Sequence, residues 1–124
     1  MEKQYQLAFI TGGSSGIGLA LARHLVQDGT SVCLLARDKK KLRAAKRELA
    51  DQCAQRDQSV DILSCDITDF PALSKTLNAW TKRRGTPDLL INSAGVTYPG
   101  YFQNLDLGIF HQMMDGNFLA LSTP

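Results

Sequence analysis

The chain has little with which to staple itself, bind a metal or cross a membrane. Its three cysteines, Cys33, Cys53 and Cys65, are odd in number, widely spaced and form no CxxC pair. Neither a disulfide framework nor a zinc site is therefore expected, and the thiols read as inert, buried side chains. His24 and His111 stand alone on predicted helices, with no second ligand at a metal spacing, so no metal site is expected. The opening MEKQYQLAFITGG holds only about five apolar residues before glycine, too few for a signal-peptide core or a membrane span. That leaves a cytoplasmic location as the expectation. Excess charge is lacking too: 14 Lys and Arg against 12 Asp and Glu leave a net +2, which gives no electrostatic case for nucleic acid. Nothing repeats internally, and no segment is low in complexity.

What is present is an alternation. At 124 residues the chain suits one domain, residues 1–124, rather than two. Short β-rich runs are separated by longer helical periods, the signature of a parallel sheet wound with helices. Strands are predicted at Leu7 to Thr11, Ser31 to Ala36, Val60 to Ser64 and Asp88 to Asn92. In the first helix Ile17, Ala20, Leu21 and Leu25 recur at helical spacing, with Gly29 as the C-terminal cap. The second has Asp38 as N-cap and buries Leu42, Ala45, Leu49 and in part Cys53. A third, Pro71 to Arg84, turns Leu73, Leu77 and Trp80 to one side and stops at Gly85. A fourth starts near Leu105 and carries Phe110, Met113, Asn117 and Leu121 along one stripe, which points the Asn117 amide inward.

The chemistry begins at FITGGSSGIG, residues 9–18. Gly12, Gly16 and Gly18 follow a predicted strand and open a predicted helix. Missing side chains let the backbone turn tightly and let a pyrophosphate approach the first N–H groups of the helix, where the macrodipole favours negative charge. A plain tight turn rich in Gly and Ser is the alternative. A P-loop would need Gly-Lys-Ser/Thr, and GSSGIG has no lysine. Methyltransferases that bind an adenosyl sulfonium also place glycines after a first strand, and at this point they stay open.

The tip of the second strand reads LLARDKKKL. An NAD site wants a carboxylate here for the ribose 2′-hydroxyl, whereas a 2′-phosphate wants a cation. Spacing from Gly18 lands on Asp38. The apolar run stops at Ala36, however, so Asp38 reads as the helix cap and Arg37 as the residue facing the 2′ position, which favours NADP(H) over NAD(H). Lys39, Lys40 and Lys41 crowd the next helix's first turn against its dipole. A nearby phosphate would offset that, and a solvated basic face is the other reading.

Three motifs taken together, TGGSSGIG at Thr11 to Gly18, CDIT at Cys65 to Thr68 and NSAG at Asn92 to Gly95, resemble the short-chain dehydrogenase/reductase family. The resemblance covers essentially the whole chain but only the cofactor-binding half of that fold. It sets the methyltransferase reading aside. It implies a Rossmann-like, doubly wound parallel α/β sheet, here incomplete, with about four strands in the order 3-2-1-4 and helices on both faces. It further implies that Gly12, Ser14, Ser15, Gly16, Ile17 and Gly18 surround the cofactor's phosphates and ribose. Arg37 would take the 2′-phosphate, Asp66 the adenine amine with Ile67 beside the ring, and Asn92, Ala94 and Gly95 the adenosine ribose. Ser93 departs mildly from the family's NNAG. Asn117 would support the active site by holding a water in the proton relay; a helix amide satisfied by nearby backbone is the alternative.

The family transfers hydride between a nicotinamide and a carbonyl or alcohol carbon, with a tyrosine, a lysine four residues later and a serine. Here Tyr5, Tyr98 and Tyr101 are followed four positions on by Phe9, Phe102 and Leu105, so no YxxxK exists. The expectation is an N-terminal fragment that binds cofactor without turnover, its fourth strand left as an exposed edge, from a homo-oligomeric parent. LLARDKKKL together with residues 94–124 looks most like the 3-ketosphinganine reductases. That implies a long-chain ketone substrate and leaves association of the parent with a membrane surface open. 3-Oxoacyl carrier-protein reductases and other carbonyl reductases of the family are the alternative. A non-catalytic nucleotide- or partner-binding module is the alternative of another class.

Overall fold

The computed structural model describes residues 5–92. Seven elements alternate along them: β1 (Leu7–Thr11), α1 (Gly16–Gln27), β2 (Ser31–Ala36), α2 (Lys39–Ala50), β3 (Val60–Ser64), α3 (Phe70–Arg84) and β4 (Leu89–Asn92). The strands form one parallel sheet in the order β3-β2-β1-β4, as expected from the resemblance. The expected fourth helix, with Asn117, lies outside the described residues. Among these residues β4 is one edge of the sheet, paired to β1 alone.

A strand covered on both sides needs apolar residues at every position rather than every second one. LAFIT of β1 and VCLL of β2 are such runs, and both are buried throughout. Side chains alternate across the pleat. Leu7, Phe9, Cys33 and Leu35 face α3, where Leu73, Leu77 and Trp80 cover them. Ala8, Ile10, Val32, Leu34 and Val60 face the other way, onto Ala22 and Val26 of α1 and Leu42, Ala45 and Leu49 of α2. Phe9 and Trp80 meet with ring centroids 5.4 Å apart, tilted by 45°.

Local chemistry stops and starts the elements where the sequence marks them. The Asp38 carboxylate accepts from the Lys41 amide at 3.1 Å, and that of Asp69 from the Ala72 amide at 3.2 Å. Each satisfies an amide that the helix itself leaves bare. Gly29 and Gly85 follow α1 and α3 at φ of 98° and 93°, a region open to glycine and costly to other residues.

α1 departs from expectation. Ile17, Ala20 and Leu21 are exposed, Ile17 by 75% and Leu21 by 38%, and Leu25 is half-buried. The buried positions are Gly18, Ala22 and Val26. These recur every fourth residue, and Ala22 and Val26 join the core on that side of the sheet, with Leu19 and Leu25 packed against it in part. Cys33 is buried, while Cys53 and Cys65 are half-buried. Desolvation raises all three thiols above their ordinary pKa, in keeping with unreactive cysteines. No helix among the described residues is long and apolar enough to cross a membrane.

Candidate functional site

All four strands run the same way, so their carboxyl ends share one edge, and the segments leaving that edge form the candidate site. Residues 12–15 leave β1, Arg37 leaves β2 and Asp66 follows β3. Asn92 ends β4 in register with Thr11. Main-chain bonds hold the tips together: the Gly12 amide donates to the Leu35 carbonyl at 2.8 Å, and the Cys65 amide to that of Ala36 at 2.9 Å.

The elbow uses its glycines for different reasons. Gly12 and Gly16 have φ of 69° and 60°, which other residues adopt only with strain. Gly13 answers to space instead. A Cβ there would sit 2.7 Å from Leu34 Cδ2, 3.1 Å from Leu34 Cβ and 3.3 Å from Ile10 Cγ2. Gly18, in the first turn of α1, is among the buried positions against the sheet.

The start of α1 has no capping side chain. Ser15 occupies the N-cap position without a side-chain hydrogen bond, and the first turn holds no acid. Its first amides therefore present partial positive charge that no capping side chain or first-turn acid among the described residues neutralises. A Cβ on Gly16 would meet nothing within 4 Å, so the backbone here is open to close approach. Bare donors, an open front and the dipole suit a phosphate or pyrophosphate.

Arg37 and Asp66 face each other across the tips of β2 and β3, with a guanidinium nitrogen 3.6 Å from one carboxylate oxygen. The Ser64 hydroxyl donates to the Arg37 carbonyl at 3.0 Å. The other Asp66 oxygen accepts from the Thr68 amide at 2.9 Å and its hydroxyl at 2.7 Å. These Thr68 bonds, ahead of the Arg37 charge, hold the Asp66 carboxyl below its ordinary pKa. Asp66 is thus a fixed acceptor, while the Arg37 side chain, 78% exposed, is free to turn toward a ligand. Asp38 is occupied as the α2 cap, which leaves Arg37 as the cation at the strand tip.

Of the residues singled out in the sequence, Gly12, Ser14, Ser15, Gly16, Ile17, Gly18, Arg37, Asp66 and Ile67 lie along this edge, and the main chain of Asn92 ends there. Ile67 is half-buried against the α3 side of the core. Ala94, Gly95 and Asn117 lie outside the described residues. Gly13, Ser64 and Thr68 were missed. Thr68 had a readable signal, since an Asp two residues before a Thr favours an Asx turn; the Gly13 clash depends on Leu34, 21 positions away. No group of His, Cys, Asp or Glu among the described residues could hold a metal.

The short chain dehydrogenase family model matches residues 6–123. A 3-ketodihydrosphingosine reductase of Bos taurus is 32% identical over 116 residues, which are 93% of this chain and 35% of that protein. A PIGF/3-ketodihydrosphingosine reductase fusion protein of Schizosaccharomyces pombe is 36% identical over 111 residues, 90% of this chain and 22% of its own. The chain thus spans about a third or less of these curated relatives. Among solved structures, the L-sorbose reductase of Gluconobacter frateurii complexed with NADPH and L-sorbose superimposes with a TM-score of 0.72 at 25% identity, over 94% of this chain and 47% of the other. A betaketoacyl-[ACP] reductase of Bacteroides thetaiotaomicron gives 0.68 at 31% identity, over 94% and 52%. The glycine elbow, the parallel sheet with its strand order and the family match agree: the chain belongs to the short-chain dehydrogenase/reductase family of oxidoreductases.

Proposed function

We propose that these residues form the NADP(H)-binding part of a ketone reductase that acts on a long-chain 3-keto lipid of the 3-ketosphinganine type. The observation that carries the cofactor reading is the bare start of α1, set in a glycine elbow on the same sheet edge as an unburied cation, Arg37. The pyrophosphate would rest on the amides around Gly12, Ser14, Ser15, Gly16, Ile17 and Gly18. Arg37 would meet the 2′-phosphate and Asp66 the adenine amine, with Ile67 beside the ring; Asn92, Ala94 and Gly95 would line the ribose. Bound there, the nicotinamide would supply the hydride.

The lipid substrate rests on the names of the relatives, whose match covers nine-tenths of this chain. A 3-oxoacyl carrier-protein substrate is the second reading, favoured by the likeness to the Bacteroides reductase. No tyrosine of these 124 residues has a lysine four positions on, so they are expected to bind cofactor without turnover. A cytoplasmic site of action belongs to the same proposal.

Calorimetric titration of NADPH and NADH into the chain and into Arg37→Ala tests the cofactor assignment. The parent sequence should prefer NADPH, and the variant should lose on the order of tenfold or more in NADPH affinity, as for a charged hydrogen-bonded contact. NADH affinity should change little. A variant that keeps its preference for the 2′-phosphate would show that Arg37 does not read it.

A further inference from the structure

Five cations of α2 enter no ion pair among the described residues. By helical periodicity Lys39, Lys40, Arg43, Lys46 and Arg47 fall within an arc of roughly 120°, and all five are exposed. Leu42, Ala45 and Leu49 are buried on the opposite side. Nearby carboxylates are otherwise engaged or peripheral: Asp38 caps the helix, Glu48 pairs with Arg23 and Gln52, and Asp51 sits at the C-cap. The ion pairs among the described residues are Arg23 with Glu48, Arg37 with Asp66 and Arg84 with Asp61. None involves the five. A chain of net charge +2 thus gathers more positive charge than its whole excess on one face of one helix.

That face runs into a groove of about 420 Å³ beyond the helix's C-terminal end, lined by Lys46, Ala50, Cys53, Ala54, Arg56 and Val60, among others. Gln58 stiffens it, its amide nitrogen donating to the carbonyls of Val26 at 2.9 Å and Thr30 at 3.0 Å. Two cations therefore flank a partly apolar hollow that continues the charged stripe.

We propose that the outer face of α2, with the groove at its end, docks the protein on an anionic lipid bilayer. A flat, negatively charged surface complements a convex stripe roughly 12 Å long, and clustered Lys and Arg are what such surfaces attract. The stripe has no aromatic side chain to stack on bases, which sets it apart from a single-strand-binding face. It has no large apolar residue to insert, so attachment is electrostatic and reversible. The inference stands apart from the cofactor and substrate readings, since it invokes neither.

Cosedimentation of the full 124-residue chain with vesicles tests it. The chain should pellet with vesicles in which phosphatidylserine is roughly a third of the lipid, stay in solution with phosphatidylcholine alone, and release as salt approaches about 0.5 M. Lys40→Glu, Arg43→Glu and Lys46→Glu together should lower the partition coefficient by on the order of a hundredfold, at roughly fivefold per cation. Lys75→Glu with Lys82→Glu, exposed cations of α3, should leave it unchanged, with circular dichroism checking that each variant folds. The salt and lipid dependence of the parent sequence test the proposal even where a variant fails to fold. Equal binding to both vesicles, equal losses from the α3 pair, or tighter retention by a single-stranded RNA oligonucleotide at the same salt would each overturn it.

Discussion

α3 and α1 pack on opposite faces of one sheet and are fastened in opposite ways. α3 is held by side chains at both ends: Asp69 caps its start, and near its finish the Asp61 carboxylate of β3 accepts from Trp80 Nε1 at 2.9 Å and from Arg84 Nε at 2.7 Å. α1 has no capping side chain at its start and lies against the sheet through Gly18, Ala22 and Val26. A helix with only a structural duty can use up its end groups on its own protein. α1, whose first amides are proposed to meet a ligand, is secured elsewhere, through the buried positions Gly18, Ala22 and Val26.

The largest effect is expected on the α3 side, from Asp61→Ala. The Asp61 residue is 7% exposed and Trp80 1%, so the substitution orphans a buried indole N–H, at about 1–3 kcal/mol, and removes charge-assisted bonds of similar worth. Arg84, with its side chain 40% exposed, can turn to water and limits the loss. A fall in unfolding free energy of about 3 kcal/mol is expected in urea melts, with a smaller effect on dinucleotide binding than on stability. The pH dependence has a definite sign. Burial works to raise the Asp61 pKa, but the Arg84 and Trp80 hydrogen bonds, with the charges of Arg84 and Arg83, outweigh it and leave the net shift downward. A carboxyl depressed in the folded state stabilises above the ordinary aspartate range near pH 4 and loses that contribution as pH falls through its folded value. Stability of the parent sequence should therefore drop on acidification more steeply than that of Asp61→Ala; parallel curves would remove the ion pair from the account.

Gly13→Ala probes the elbow from below. Its Cβ would press on Leu34 and Ile10, both fully buried, and overpacking of that kind costs about 1–3 kcal/mol. Thermal melts should show the loss. Dinucleotide affinity should fall with it, because Gly13 adjoins the amides that would meet the phosphates. A variant as stable as the parent would mean that the sheet tip yields more easily than its packing implies.

The same contrast explains what could be read from the sequence. β1 and β2 were legible because strands buried on both faces leave unbroken apolar runs, and Asp38 because a cap stands at a fixed offset from the first helical turn. Strand order came with the three family motifs rather than from any pattern within the strands. The helical spacing of Ile17, Ala20, Leu21 and Leu25 does not mark the packed face of α1, because Ile17 and Leu21 stay exposed while Gly18, Ala22 and Val26 are buried. Asp61 reaches Arg84 and Trp80 across 23 and 19 positions, and Gly13 reaches Leu34 across a strand pair. Such partnerships exist only after folding.

The smallest effect in energy is the sharpest test of the comparison. Ser15→Asp would give α1 the cap that α2 and α3 already have, and a carboxylate at a helix start is worth about 0.5–1 kcal/mol. The unliganded chain should melt at a slightly higher temperature, by a few degrees. That same carboxylate would occupy the amides and repel the anion they are proposed to hold, so NADPH affinity should fall by roughly tenfold or more. Asp69→Ala is the mirror image: it should lose about 1 kcal/mol of stability and leave affinity where it was. Opposite signs for stability and binding at Ser15, beside a loss of stability alone at Asp69, distinguish a start kept bare for a ligand from one that is merely uncapped. If Ser15→Asp stabilises the chain and binding holds, the amides of α1 are not where the phosphate sits.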